Sequence, residues 1–154
     1  MTKEQKYDLK DLMKVLLGND IKEFNGFIEQ YGINCIEKKD KRNLLMYCVL
    51  QKKNDYSKKL IESGINLNHQ DSNGYSVLHY AVQENNLEIV TLLIKNKIEI
   101  DMVDKNGNSS LWRASYDRKK IDKRIIEKLI NAGADIHKKN NYGIAPEKYL
   151  EDMK

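Results

Sequence analysis

The chain has 154 residues, 40% of them hydrophobic and 32% charged, with 27 lysines and arginines against 23 aspartates and glutamates for a net charge of +4. That length fits one domain, the mixed and nearly balanced charge argues against a nucleic-acid partner, and apolar runs such as LLMYCVL fall far short of the roughly 20 residues of a spanning helix. The N-terminal MTKEQKYDLK has no apolar signal-peptide core, so a cytoplasmic protein without membrane contact is expected.

Taken in chain order, the apolar positions predict helices in short antiparallel pairs. Residues 5 to 37 place Leu12, Val15, Phe24, Phe27 and Ile28 at helical spacing, and Thr2-x-x-Gln5 has the form of a capping box for the first helix. Residues 38 to 70 repeat the arrangement with Leu45 to Cys48 and then Leu60 to Asn66. In residues 71 to 103 an Asn-Gly step makes a turn and Ser76 is a helix N-cap candidate. Leu78, Ala81 and Val82 then line one helix, Asn85-Asn86 breaks it, and Leu87, Ile89, Val90, Leu93 and Ile94 line a second. After it, Ile98-Glu99-Ile100-Asp101 alternates like a short extended arm. Residues 104 to 139 follow the same course with three extra residues inside YDRKKIDKR, and residues 140 to 154 open a further unit that stops after one helix starting near Pro146.

The segment DSNGYSVLHYA at 71 to 81 returns as DKNGNSSLWRA thirty-three positions later. A fixed period in the range of about 20 to 50 residues marks stacked units. A turn followed by two helices cannot bury its apolar faces alone, so the units must share a continuous core. The sequence therefore predicts one domain over 1 to 154, an all-α repeat solenoid of helix-turn-helix units joined by short β-hairpin-like turns.

The period, the D-x-N-G-x-S-x-L-H-x-A start, LEIVTLLI in a second helix and the ending INAGADIHKKNNYG resemble the ankyrin repeat. The resemblance covers residues 5 to about 154 and is weakest at 5 to 70, where Lys38 and Lys41 stand in place of the turn's usual Asp and Gly. It implies an ankyrin stack that binds another protein through a concave face of hairpin tips and first helices. SSLWRAS and IIEKLINAGADIHKKNNYGIAP are also similar to small bacterial ankyrin proteins, some of which are immunity proteins. That likeness implies a toxin or enzyme as partner, with an adaptor that tethers without inhibiting as the alternative.

On that reading the partner-binding candidates are Ser72, Asn73, Tyr75, Gln83 and Glu84 on one unit and Lys105, Asn106, Asn108, Trp112, Arg113, Tyr116 and Asp117 on the next. Trp112 is either an anchor or a buried plug. Tyrosines at the variable positions, Tyr75, Tyr80, Tyr116 and Tyr142, suit binding because they give a large amphipathic contact at small entropy cost. The insertion DRKKIDKR carries five basic residues and reads first as a solvated loop, next as a surface for an acidic partner, and third, for want of interleaved aromatics to stack bases, as a contact for RNA or DNA.

Chemistry is expected nowhere. Asp71, Ser76 and His79 have triad residue types but sit within one repeat turn, and the resemblance gives His79 the structural role of tying neighbouring loops. Cys35, Cys48, His69 and His137 lack ligand spacing, so no metal and no cofactor are anticipated. An unbound monomer is the expected state.

Overall fold

The computed structural model describes residues 5–150. Among these, four helix pairs succeed one another: α1 (Leu9–Gly18) with α2 (Ile21–Tyr31), α3 (Leu44–Leu50) with α4 (Asn54–Glu62), α5 (Val77–Gln83) with α6 (Leu87–Lys95), and α7 (Ser110–Tyr116) with α8 (Lys123–Asn131). A last helix, α9 (Glu147–Leu150), closes the described chain just after Pro146. The first helices α3, α5, α7 and α9 pack side by side in one layer, and α4, α6 and α8 in a second. The expected solenoid of helix-turn-helix units is the architecture observed.

The core runs between the layers from end to end. Leu44 to Val49 of α3 and Val77 to Val82 of α5 are buried along their whole length, because each first helix has neighbours before and behind it in the stack. Second helices are amphipathic instead, with Ile89, Val90 and Leu93 of α6 and Ile125, Ile126 and Leu129 of α8 buried and the opposite face polar. Each fully buried Leu, Ile or Val contributes about 1.5–3 kcal/mol. Cys48 and its counterparts Ala81 and Ala114 are wholly buried small residues of that core.

The first pair is held partly by aromatic rings. Phe24 of α2 stacks on Tyr56 of α4 at 4.5 Å, and the wholly buried Tyr7 meets Phe27, Tyr31 and Tyr47 edge-on at 5.4–6.4 Å. Tyr7 lies on β1 (Lys6–Tyr7), which pairs in parallel with β2 (Ile36–Glu37). Nothing in the sequence announced these strands, since two residues are too few to show an alternating pattern.

Three local expectations change. Thr2 lies outside the described residues, Gln5 precedes a strand, and the first helix is capped by Asp8, whose carboxylate accepts the Lys10 amide at 3.0 Å. The supposed arm at 98 to 101 runs into a turn rather than a strand, because Glu99 spends its amide on Asn68 Oδ1 of the preceding unit. Hairpin pairing starts at Val103, opposite Ser109. Finally, Lys38 does not replace the turn aspartate. Its neighbour Glu37 is buried and accepts the Lys39 and Asp40 amides at 2.8 and 2.6 Å, one methylene making up for one position in sequence.

The insertion lengthens the turn between α7 and α8 as expected. Residues 117–122 connect those helices, where residues 84–86 suffice between α5 and α6.

Candidate functional site

The hairpin tips form a continuous, rigid edge. Asp71 is buried and its Oδ1 accepts the amides of Asn73 and Tyr75, which folds the chain back over Gly74 at φ 80°. Asp104 does the same for Asn106 and Asn108 around Gly107, and Asn140 for Tyr142 and Ile144 around Gly143. Backbone bonds then step from tip to tip: the Ser72 amide donates to Asp40 O, that of Lys105 to Asn73 O, and that of Asn141 to Asn106 O. A methyl on Gly107 would lie 2.6 Å from Asn141 Oδ1 and 2.8 Å from its amide nitrogen, so close stacking also requires glycine there. In the second unit Lys41 takes the glycine's place at φ 57°.

Between the tips and the first helices lie two matched clusters. Arg42 Nε donates to Tyr80 Oη at 2.8 Å, with its guanidinium 5.3 Å from the Tyr80 ring, and Tyr80 Oη donates to Asp71 Oδ2 at 2.5 Å. One unit on, Arg113 Nη2 donates to Tyr75 Oη at 2.7 Å, the guanidinium lies 5.0 Å from the Tyr75 ring, and the same nitrogen is 3.8 Å from Asp104 Oδ2. Both pairs span 38 residues, with arginine and tyrosine exchanged between the same two positions. Burial, followed by the bond to Asp71, raises the Tyr80 hydroxyl above its ordinary range, keeping it a neutral donor.

These contacts divide the twelve sequence-derived candidates. Asn73, Gln83, Lys105 and Asn106 are exposed, Ser72 and Glu84 half-buried, and the side chains of all six make no hydrogen bond or ion pair among the described residues. Tyr75 and Arg113 belong to the second cluster. Asn108 is buried, giving Nδ2 to Asp104 and accepting from Asn140, so it is an internal strut where an exposed variable position was expected. Asp117 is half-buried, and its backbone carbonyl accepts the amides of Lys120 and Ile121. Tyr80, expected at the surface, is only 3% exposed, because Arg42 and Asp71 hold its hydroxyl inside the cluster. Tyr142 is 73% exposed.

Trp112 is half-buried in a ring trio. It stacks on Tyr116 at 5.2 Å, and Tyr149 of α9 stands perpendicular to both at 5.9 and 5.4 Å. Tyr116 itself remains 56% exposed. Both readings of Trp112 therefore have a basis in the geometry: it plugs the joint between α7 and α9, and it backs an exposed ring.

The residues that raised the question of catalysis are occupied in the scaffold. His79 Nδ1 accepts the Ser76 amide at 3.1 Å, and Nε2 lies 3.0 Å from Asn108 O in the next loop. Burial lowers its pKa and keeps the ring neutral at pH 7. The Cys35 thiol, at the edge of a cleft of about 560 Å³ lined by Gln5, Tyr31, Asn34 and His69, is pushed by burial up to about 12, far from thiolate chemistry. No three His, Cys, Asp or Glu side chains converge as a metal site among the described residues. None of the described helices is long and apolar enough to cross a membrane.

A stack of helix pairs tied through hairpin tips, with its polar chemistry spent on joining units, defines a tandem-repeat scaffold. A family model described as ankyrin repeats in three copies matches residues 5–104 and again 45–140, and the chain belongs to that family. It is 30% identical over 124 residues to an ankyrin repeat protein of Acanthamoeba polyphaga mimivirus, a match covering 78% of this chain and 14% of the viral protein. It is 31% identical over 100 residues to an ankyrin repeat-containing protein of Schizosaccharomyces pombe, covering 64% of this chain and 45% of that one. A palmitoyltransferase of Lachancea kluyveri is 29% identical over 91 residues, covering 56% of this chain and 12% of the enzyme. The chain thus spans well under two thirds of the length of these relatives. Ankyrin repeats as a family mediate protein–protein interaction and are binding modules rather than enzymes.

Proposed function

We propose that this chain is a non-enzymatic module in the cytoplasm that holds one protein partner on the face made by its hairpin tips and first helices. The supporting observation is the row Ser72, Asn73, Gln83, Glu84, Lys105 and Asn106, polar side chains with no bond among the described residues, carried on hairpin tips fixed by tip-to-tip hydrogen bonds and on the end of α5. Such positions can change without cost to folding, which is where recognition can vary. Neutralising a toxin or enzyme by occlusion, the immunity role of some small bacterial ankyrin proteins, rests on resemblance alone; the matched relatives named above are viral and yeast proteins. Tethering without inhibition fits the same face.

The test is affinity capture from the source cells with the natural chain and with Asn73→Arg/Lys105→Glu in parallel. Proteins retained by the first and lost by the second, at unchanged melting temperature, support the reading. Equal capture by both chains refutes it.

A further inference from the structure

We infer that the end of this face where α7 meets α9 takes an acidic polypeptide segment; this rests on the binding reading above and adds the partner's chemistry and its place. Four buried side-chain polar atoms lack a hydrogen-bond partner among the described residues, and three of them, Ser110 Oγ, Trp112 Nε1 and Arg113 Nε, are on the single helix α7. The indole and guanidinium nitrogens can only donate, so what they lack is an acceptor. A buried donor left empty is costly; Arg113 belongs to the Tyr75–Asp104 cluster, whereas Trp112 lies in the ring trio at the α7–α9 joint, and its Nε1 is the empty donor of this end.

The surroundings fit the same kind of guest. Tyr116 offers an exposed aromatic surface braced by Trp112 and Tyr149, the type of anchor on which interface energy concentrates. The insertion then supplies charge next to that ring. Arg124 is held by Asp122 at 2.6 Å and Lys123 lies 3.8 Å from Glu127, whereas Lys119 and Lys120 are exposed and make no ion pair among the described residues. Glu84 at the end of α5, together with Asp117, opposes this charge, and both are half-buried. An empty indole donor, an aromatic anchor and two exposed lysines without an ion pair among the described residues together call for carboxylates with an apolar side chain among them. Two lysines and one braced ring are too little for the basic track with successive stacking platforms that binds single-stranded nucleic acid.

The probe is a labelled glutamate-rich peptide of about a dozen residues with a central Leu-Leu, followed by anisotropy and by the fluorescence of Trp112, the chain's one tryptophan. Tyr116→Ala should weaken binding roughly tenfold or more. Tyr116→Phe keeps the stack and should bind like the natural chain. Lys119→Ser/Lys120→Ser should slow association and flatten its salt dependence. Lys38→Ser/Lys39→Ser/Lys41→Ser removes a different basic cluster, at the tip of the second unit, and should leave binding unchanged. If that triple variant abolishes binding while the Tyr116 and Lys119/Lys120 variants keep it, the inference fails and the binding-module reading stands. No binding by the natural chain up to about 1 mM, a weak-affinity bound, overturns the inference in the same way, as does equal, Tyr116-dependent binding of single-stranded DNA.

Discussion

Exchanging Tyr75 with Arg113 tests whether the two arginine–tyrosine clusters are one device used twice. Tyr75→Phe removes a 2.7 Å bond to a guanidinium whose side chain is 24% exposed. A charged hydrogen bond is worth about 1.5–3 kcal/mol when buried, and partial exposure brings this to about 1 kcal/mol. Arg113→Met loses that bond, the contact over the Tyr75 ring, worth roughly 0.5–1 kcal/mol, and the long contact to Asp104, so about 2 kcal/mol is expected. The single changes Tyr75→Arg and Arg113→Tyr each break the pair, the first by setting two guanidiniums together and the second by leaving two phenols facing. Made together, they recreate the Arg42–Tyr80 order, in which the tyrosine sits on the later unit and donates to the turn aspartate. The double variant should then recover at least about 1 kcal/mol relative to the sum of the singles, a coupling typical of residues in contact. Urea melts at 25 °C, read by the circular dichroism of the helices, give all four corners of the cycle. Strict additivity within about 0.3 kcal/mol would refute the idea that these positions are complementary.

Other consequences follow from single sites. Gly107→Ala places a methyl against Asn141 backbone at positive φ and should cost about 2–3 kcal/mol, while Lys41→Gly relieves a left-handed lysine and should raise stability by about 0.5 kcal/mol after the entropy of the unfolded glycine is counted; the opposite sign in thermal melts would overturn the turn assignment. His79 has a folded pKa below its unfolded value, so folding favours the neutral ring and its contribution is present above the unfolded pKa near 6.5 and is lost as pH falls below it. The melting temperature should therefore drop more steeply between about pH 6.5 and 5 in the natural chain than in His79→Gln, and identical slopes would remove this histidine from the acid response. Removing residues 140–154 takes Tyr149 from Trp112 and Asn140 from Asn108, so the shortened chain should red-shift its tryptophan emission and aggregate; a monomer of natural stability would show that α9 does not cap the stack.

The period of the stack was legible because each unit needs the same apolar positions to meet its neighbours, and those positions recur in register. The candidate face was legible only in part, since identical columns say where a side chain starts and not what it reaches. Asn108 looked like a free position because Tyr75 fills its column one unit earlier, yet a short amide beside Asp104 and Asn140 turns inward and bonds both. Glu37 was passed over because it sits one position ahead of the expected aspartate, a gap that its longer side chain closes. Aligned by column, Arg42 stands over Tyr75 and Tyr80 over Arg113, which reads as two mismatches. Contact between units, however, runs on a diagonal of 38 residues against a period of 33, because the end of one turn faces the first helix of the next unit. Along that diagonal the same four residues are two matched pairs, so the pairing information of this stack is carried between columns, where a search for repetition does not look.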